Sequence, residues 1–283
     1  MFHISPKSSK MRILGYGLLF AFAFTLNETV AGQTIEPVAT GGYRYEKPVA
    51  GVYRILTYNV RNGKGMDEKT DYDRVANVII AIHPEVVALQ ELDSVTTRSN
   101  GVDVLKTIAE KCGMNYFYGA SIPYQGGKYG IGILSNEIPL KTAFFSLPGT
   151  EEKRGLLMAE FKDYIFFCSH FSLTEADRVA SVQLINKEVE ALHKRVFLAG
   201  DLNATPESEA IESLSEHWTN LTGKQPTFPS SGPKKCIDFI WGINLSDFIY
   251  NITKQEVVPE KIASDHCPVF VDVKFNKRKQ SIK

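Results

Sequence analysis

The stretch IASDHCPVFVDV, Ile262 to Val273, sets Asp265 and His266 side by side directly ahead of an apolar run. The run reads as a buried strand. Two ionisable residues at its mouth need solvent or partners, because a buried charge without a partner is strongly destabilising. Taken alone, Ser-Asp-His has an ordinary reading, an Asp capping a turn with a solvated His beside it. The remainder of the chain decides between that reading and a site.

The same arrangement recurs along the sequence. Asn59 closes LTYNV, Gln90 and Glu91 close VVALQE, His170 closes FFCSH, Asp201 and Asn203 close FLAGDLN, and Asp238 lies in CIDFI. Each alone reads as a cap, a turn former or a surface residue. Six polar clusters at the ends of otherwise apolar strands are better explained by convergence on one site, where each charge finds partners. Such a site holds the carboxylates of Glu91, Asp201, Asp238 and Asp265, two amides and two imidazoles. Oxygen-rich donors of this kind suit hard cations, Mg²⁺ first, with Mn²⁺ or Ca²⁺ as further possibilities. The sequence has no H-E-x-x-H and no C-x-x-C, which disfavours zinc. It also has no G-x-S-x-G and no G-x-x-x-x-G-K-[ST], which disfavours serine hydrolase and P-loop chemistry. A cation, a base and imidazoles together fit hydrolysis of a phosphoester.

Strands are expected at YRILTYNV, EVVALQEL, GIGILS, GLLMAEF, YIFFCSHF, RVFLAGDLN, CIDFIWG and PVFVDVKF, each rich in β-branched or aromatic residues and bounded by turn formers. Between them, Val75, Val78, Ile79 and Ile82 mark one helix face and Val182, Ile185, Val189 and Leu192 another. Thr205 and Pro206 suit the N-cap and first turn of a third helix. This alternation predicts a layered α/β or α+β domain with two sheets buried between helices.

With 283 residues, 43% hydrophobic and 11% aromatic, the chain can bury a sizeable core and is neither disordered nor fibrous. Lys7, Lys10 and Arg12 precede an apolar run from Ile13 to Leu26 and small residues near Ala31 and Gly32, the pattern of a signal peptide over 1–32. The run is too short for a membrane span, so the mature chain is expected to have none and to be periplasmic or extracellular. Residues 33–52 read as a linker or irregular lead-in, 53–276 as the catalytic domain and 277–283 as a solvated basic tail. Removing 1–32 changes a formal net charge of zero to about −2, which does not favour extended nucleic-acid binding. Cys112, Cys168, Cys236 and Cys267 are scattered and spell neither a zinc site nor a disulfide scaffold. No protein partner is inferred.

The ordered set YNVRNG, ALQELD, YGIGILSN, CSHF, GDLNATP, IDFIWG and SDHCPV resembles the endonuclease/exonuclease/phosphatase superfamily, which includes DNase I-like nucleases, inositol polyphosphate 5-phosphatases and neutral sphingomyelinases. The likeness runs from about Tyr53 to Phe275 in family order. It implies a four-layer α/β/β/α sandwich, DNase I-like, with the site at one end of the paired sheets. It further implies that Glu91 binds Mg²⁺ with Asn59 and Asp265 beside it, and that Asp201 orients or deprotonates water while Asn203 helps hold the phosphate. His266, backed by Asp238, and His170 would contact phosphoryl oxygens. Arg98 and Arg154 resemble arginines of bacterial secreted members and are the candidate substrate contacts. Ile131 and Cys236 depart from residues common in the family, which leaves the substrate open.

The leading expectation is an exported Mg²⁺-dependent phosphodiesterase acting on a small or lipid-linked substrate. A secreted nuclease is the alternative within the enzyme class, and a non-catalytic module retaining the fold is the alternative outside it.

Overall fold

The computed structural model describes residues 42–244 and 248–277. The expected signal peptide and most of the basic tail lie outside the described residues. Of the expected lead-in, residues 42–51 carry no helix or strand, and they are tied down by Tyr45 N donating to Ala81 O at 2.9 Å and Tyr43 Oη to Glu260 Oε2 at 3.0 Å.

Twelve strands make up two sheets among the described residues: β1 (Val52–Asn59), β2 (Val86–Ser94), β3 (Asn115–Tyr124), β4 (Gly127–Ser135), β5 (Lys141–Leu147), β6 (Arg154–Glu160), β7 (Tyr164–His170), β8 (Arg195–Asp201), β9 (Trp218–Asn220), β10 (Asp238–Ile243), β11 (Phe248–Val257) and β12 (Val269–Lys277). The first sheet runs β11-β12-β1-β2-β4-β3 and the second β5-β6-β7-β8-β10-β9. Both are mixed: β1 pairs in parallel with β2 and β7 with β8, and the other pairs are antiparallel.

Period-2 alternation sends successive residues of each strand to opposite faces. Ile55 of β1, Val86 and Ala88 of β2, and Ile131 and Ile133 of β4 meet Phe166, Cys168, Phe197, Ala199 and Ile240 from the facing sheet. The intervening residues point outward. Leu56, Tyr58, Val87 and Leu89 pack under α1 (Tyr72–Ile82) and α2 (Val104–Cys112). Leu156, Phe167 and Leu198 pack under α3 (Glu175–Val189) and α4 (Glu209–Ser215). These three apolar layers separate four layers of structure, the α/β/β/α sandwich. Each fully buried Phe or Leu contributes roughly 1.5–3 kcal/mol, so the two-sided burial of the central strands dominates the stability of the frame.

Local chemistry sets the helix boundaries. Asp71 caps α1 by accepting from Arg74 N at 2.9 Å, and Asp103 caps α2 by accepting from Lys106 N at 3.1 Å. The expected helix start at Thr205-Pro206 is corrected. Those residues enter a turn closed by Ser208 N to Thr205 O at 3.0 Å, and Ser208 is the cap of α4, its Oγ accepting from Ile211 N at 3.4 Å. Leu192 lies beyond the end of α3, where it packs on the outer apolar layer as a partly buried residue. The four thiols are free.

Candidate active site

Alternation along the strands assembles the site. Asn59 shares the inter-sheet face with Ile55, Gln90 with Val86 and Ala88, His170 with Phe166 and Cys168, Asp201 with Phe197 and Ala199, and Asp238 with Ile240. Asn59, His170 and Asp201 lie at the C-terminal ends of β1, β7 and β8 and Asp238 at the start of β10, while Gln90 lies midway along β2, paired with Asn59. Strand pairing sets His170 and Asp238 directly beside Asp201, in parallel and antiparallel register respectively.

Glu91 reaches the same place by a different device. Between Leu89, opposite Gly132, and Leu92, opposite Gly130, strand β2 carries one residue more than β4, and Glu91 takes the left-handed conformation with φ 60. This bulge returns Leu92 to the helix-facing layer and leaves Glu91 at the strand break, beside Asn59. A left-handed non-glycine residue costs roughly 1–2 kcal/mol, strain of a kind that concentrates at functional positions.

Asp201 is the hub. Its Oδ2 accepts from Asn59 Nδ2 at 3.0 Å and lies 3.5 Å from His170 Nε2 and 3.6 Å from His266 Nε2. Its Oδ1 accepts from Asn203 N at 2.9 Å. The Asn59 amide also donates to Glu91 Oε1 at 2.9 Å, which links the two sheets through one side chain. His266 Nδ1 sits 3.0 and 3.2 Å from the two oxygens of Asp238. Both histidines are buried, with 7% of His170 and 5% of His266 exposed, so solvent does not decide their protonation.

Their charge states diverge. Burial opposes charge on His266, yet Asp238, Asp201 and Asp265 overcome it and lift its pKa to about 10. Burial also opposes charge on His170, and with Arg154 and His266 adding positive charge beside it, Asp201 cannot compensate, so its pKa falls to about 4. At neutral pH the contact of His170 with Asp201 is therefore that of a neutral imidazole with a carboxylate. Burial raises the carboxyl pKa of Glu91, the Asn59 bond opposes that shift, and Asp201 and Asp265 add to it.

That crowding of partly buried oxygen donors is the observation that suits a cation. Asp201, Asp238 and His266 offer one ligand atom each within 4.8 Å of one another and could hold a metal ion. Their lone pairs are largely engaged, however, with Asp238 bonded to His266 and to Thr227. Among the described residues the Glu91 side chain accepts a hydrogen bond from Asn59 alone, and it faces electrostatic repulsion that a cation would relieve. A hard cation fits this donor set.

Residues 56–266 match the Endonuclease/Exonuclease/phosphatase family. The chain belongs to that family. Its members are phosphoester hydrolases and generally depend on a divalent metal. Among solved structures, the family protein from Bacteroides vulgatus matches with a TM-score of 0.65 and 20% identity, covering 80% of this chain and 99% of that one. A mannosyl-6-phosphatase of Bacteroides thetaiotaomicron matches with a TM-score of 0.64 and 17% identity, covering 78% and 99%. The human Nocturnin catalytic domain with bound sulfate anion matches with a TM-score of 0.59 and 15% identity, covering 80% and 95%. At these identities the likeness is one of fold. No curated protein matches the sequence.

The remaining expected residues of this family member divide. Asp265 stands at the rim, its Oδ2 3.7 Å from Arg61 Nε and its Oδ1 accepting from Ser264 Oγ at 3.3 Å. Asn203, at φ 46, turns its Nδ2 to Phe171 O at 3.0 Å. Arg154 comes into the cluster, its Nη1 3.3 Å from His170 Nδ1. Arg98 instead grips buried Asp93 at 2.7 and 2.8 Å and lies 4.6 Å from the Tyr124 ring centroid. Ile131 and Cys236, the two family departures, are apolar core residues, with 1% and 6% exposed.

Sequence reasoning missed a supporting ring. Thr227 Oγ1 donates to Asp238 Oδ2 at 2.5 Å, and the Phe228 ring packs 4.8 Å from the His266 ring. Ser264 Oγ donates to Asn59 O at 2.7 Å and accepts from His266 N at 3.3 Å, tying the end of β1 to the histidine loop. Ser264 adjoins the quoted Asp-His pair and could have been flagged by that adjacency. Thr227 and Phe228 carried no such signal. A surface cleft of about 410 Å³ is lined by α1 residues and by His83, Glu85 and Asn136, and none of the cluster residues line it.

Proposed function

We propose that this chain is an exported, divalent-cation-dependent phosphoesterase that hydrolyses a phosphodiester in a small or lipid-linked substrate by attack of water. The observation that carries the reading is the single Asp201 carboxylate set between a neutral and a charged imidazole and joined through Asn59 to Glu91. Family membership supports phosphoester hydrolysis, and the near-zero net charge favours a compact substrate over long nucleic acid. The N-terminal sequence pattern supports export.

In this reading Glu91, with Asn59 and Asp265 beside it, holds the cation, Mg²⁺ first and Mn²⁺ or Ca²⁺ as alternatives. When bound, the cation offsets negative charge on the phosphoryl oxygens. Asp201 orients the attacking water and accepts its proton as the new P–O bond forms and the ester P–O bond breaks. His266, kept charged by Asp238, presents Nε2–H to a phosphoryl oxygen, and His170 supplies a neutral donor on the other side of Asp201. Asn203 fixes the Asp201 carboxylate through its backbone N–H.

A substrate panel tests the proposal: bis-p-nitrophenyl phosphate, p-nitrophenyl phosphate, single- and double-stranded DNA, sphingomyelin and phosphoinositides. Diester hydrolysis should vanish with EDTA and return with Mg²⁺ or Mn²⁺. Full activity after exhaustive chelation contradicts the cation requirement, and preference for DNA over every small diester moves the protein to the nuclease class. N-terminal sequencing of the native protein should find Gly32 or Gln33 first, and an intact Met1 contradicts export by cleavage.

A further inference from the structure

An arginine side chain carries only hydrogen-bond donors and stays charged at any accessible pH, whereas an ionised carboxylate only accepts. His170 lies between one of each: Arg154 Nη1 is 3.3 Å from its Nδ1, and Asp201 Oδ2 is 3.5 Å from its Nε2. A nitrogen facing a guanidinium donor must offer a lone pair, and a nitrogen facing a carboxylate must offer a proton. Only one form of imidazole does both.

We infer that Arg154 is a positioning residue that fixes His170 as the neutral tautomer protonated on Nε2, so that this proton points to the Asp201 side where substrate oxygen is handled. The inference rests on the phosphoesterase reading for what the proton does, and on geometry alone for where it is. The depressed pKa of His170 agrees with it, burial being the largest cause and Arg154 a contributor.

Arg154 is built for holding rather than for reaching out to substrate. It is 6% exposed, its Nη2 is 3.1 Å from Glu151 Oε1, and its Nη1 is 3.2 Å from Glu152 Oε1. Glu151 is itself anchored, accepting from Leu173 N at 2.7 Å and from Ser172 Oγ at 2.7 Å, on the segment just after His170. The guanidinium is thereby braced from the same loop that follows the imidazole it orients. Exposed arginines adapt to a substrate, whereas this one has both terminal nitrogens engaged before substrate arrives, Nη1 by His170 and Nη2 by Glu151, and only its Nε is buried without a hydrogen-bond partner among the described residues.

The test reads the two ring nitrogens of His170 by NMR in the full chain labelled with ¹⁵N-histidine at neutral pH, with Mg²⁺ present. The proposal expects Nε2 protonated and Nδ1 bare. Arg154→Met, which keeps length and removes every donor, should lose this exclusive tautomer. It should lower kcat on bis-p-nitrophenyl phosphate roughly tenfold to a hundredfold, with KM changed by less than about twofold. Arg154→Gln retains an N–H donor and should restore the tautomer and part of kcat. A wild-type His170 protonated on Nδ1 overturns the proposal even if the Met variant fails to fold. So does an Arg154→Met enzyme whose KM rises while kcat and the tautomer stay unchanged, because Arg154 would then be a substrate contact. Absence of phosphoester hydrolysis in the wild type would defeat the functional reading alone, since the tautomer is read without turnover.

Discussion

His170 and His266 approach the same oxygen of Asp201 at nearly the same distance, 3.5 and 3.6 Å, and are buried to nearly the same extent, yet at neutral pH the first is neutral and the second cationic. The shared carboxylate cannot account for the difference. What differs is the group behind each ring: Arg154 behind His170 and Asp238 behind His266. An imidazole between donor and acceptor stays neutral, and one between two acceptors must donate from both nitrogens and so is cationic. Two histidines with separated pKa values are the arrangement by which one site holds a neutral donor and a charged one together.

Removing the shared carboxylate should break the comparison most severely. Asp201→Asn keeps the shape while deleting the charge that both rings face, and kcat on an activated diester should fall by about 10²–10⁴, the range for loss of a general base. A variant retaining more than about a tenth of wild-type kcat would remove Asp201 from that role.

Next in size is the partner that makes His266 cationic. Asp238→Asn should lower kcat by roughly a hundredfold with little change in thermal stability, and His266→Ala should be at least as severe. Because groups acting as a unit are non-additive, the double variant should be little worse than His266→Ala. Losses that multiply in the double variant show that the two act independently.

The smallest effect is expected from the residue behind Asp238. Thr227→Val removes one donor to that carboxylate and should cost about 1–3 kcal/mol of stability, read by denaturant unfolding, because a buried acceptor loses a bond. It leaves the His266 pairing in place, so kcat should change by only a few-fold. A loss as large as that of Asp238→Asn would make Thr227 part of the catalytic unit.

How far such contrasts were legible in the chain depends on burial. The eight strands expected from the sequence are β1, β2, β4, β6, β7, β8, β10 and β12, the interior members of the two sheets; the four missed, β3, β5, β9 and β11, are the four edges. An interior strand between two packed layers is buried on both faces, as β7 and β8 are along their whole length, and the apolar run between their polar ends makes a continuous signal. An edge strand leans on solvent: β5 is exposed at Lys141, Thr142 and Phe144, and its residues alternate without a clear apolar run. Helix α2 was missed for a related reason, its apolar face being confined to Val104, Leu105, Ile108 and Ala109.

The same logic governs the site. A polar residue at the end of a doubly buried strand is conspicuous, so Asn59, His170, Asp201 and Asp238 could be singled out. Thr227 is brought to Asp238 only by the folding back of the 221–237 loop, where Cys267 N donates to Thr227 O at 2.8 Å, and no local pattern encodes that contact. Arg98, expected at the substrate, is held by Asp93 with its side chain 40% exposed, a pairing that no local pattern announced.

Charge separation also sets the pH dependence of stability. His266 has a folded pKa raised to about 10, so its contribution is full below the unfolded value of about 6.5 and is lost as pH rises through about 10. His170 has a folded pKa lowered to about 4, so the unfolded chain gains the proton first and stability falls as pH drops from about 6.5 towards 4. A direct ¹⁵N NMR titration of the two rings in one sample tests the central claim. The account predicts that His266 keeps both ring protons until about pH 10 while His170 stays singly protonated until about pH 4. Two rings titrating together near the ordinary histidine value, about 6.5, or in the reverse order, would contradict it.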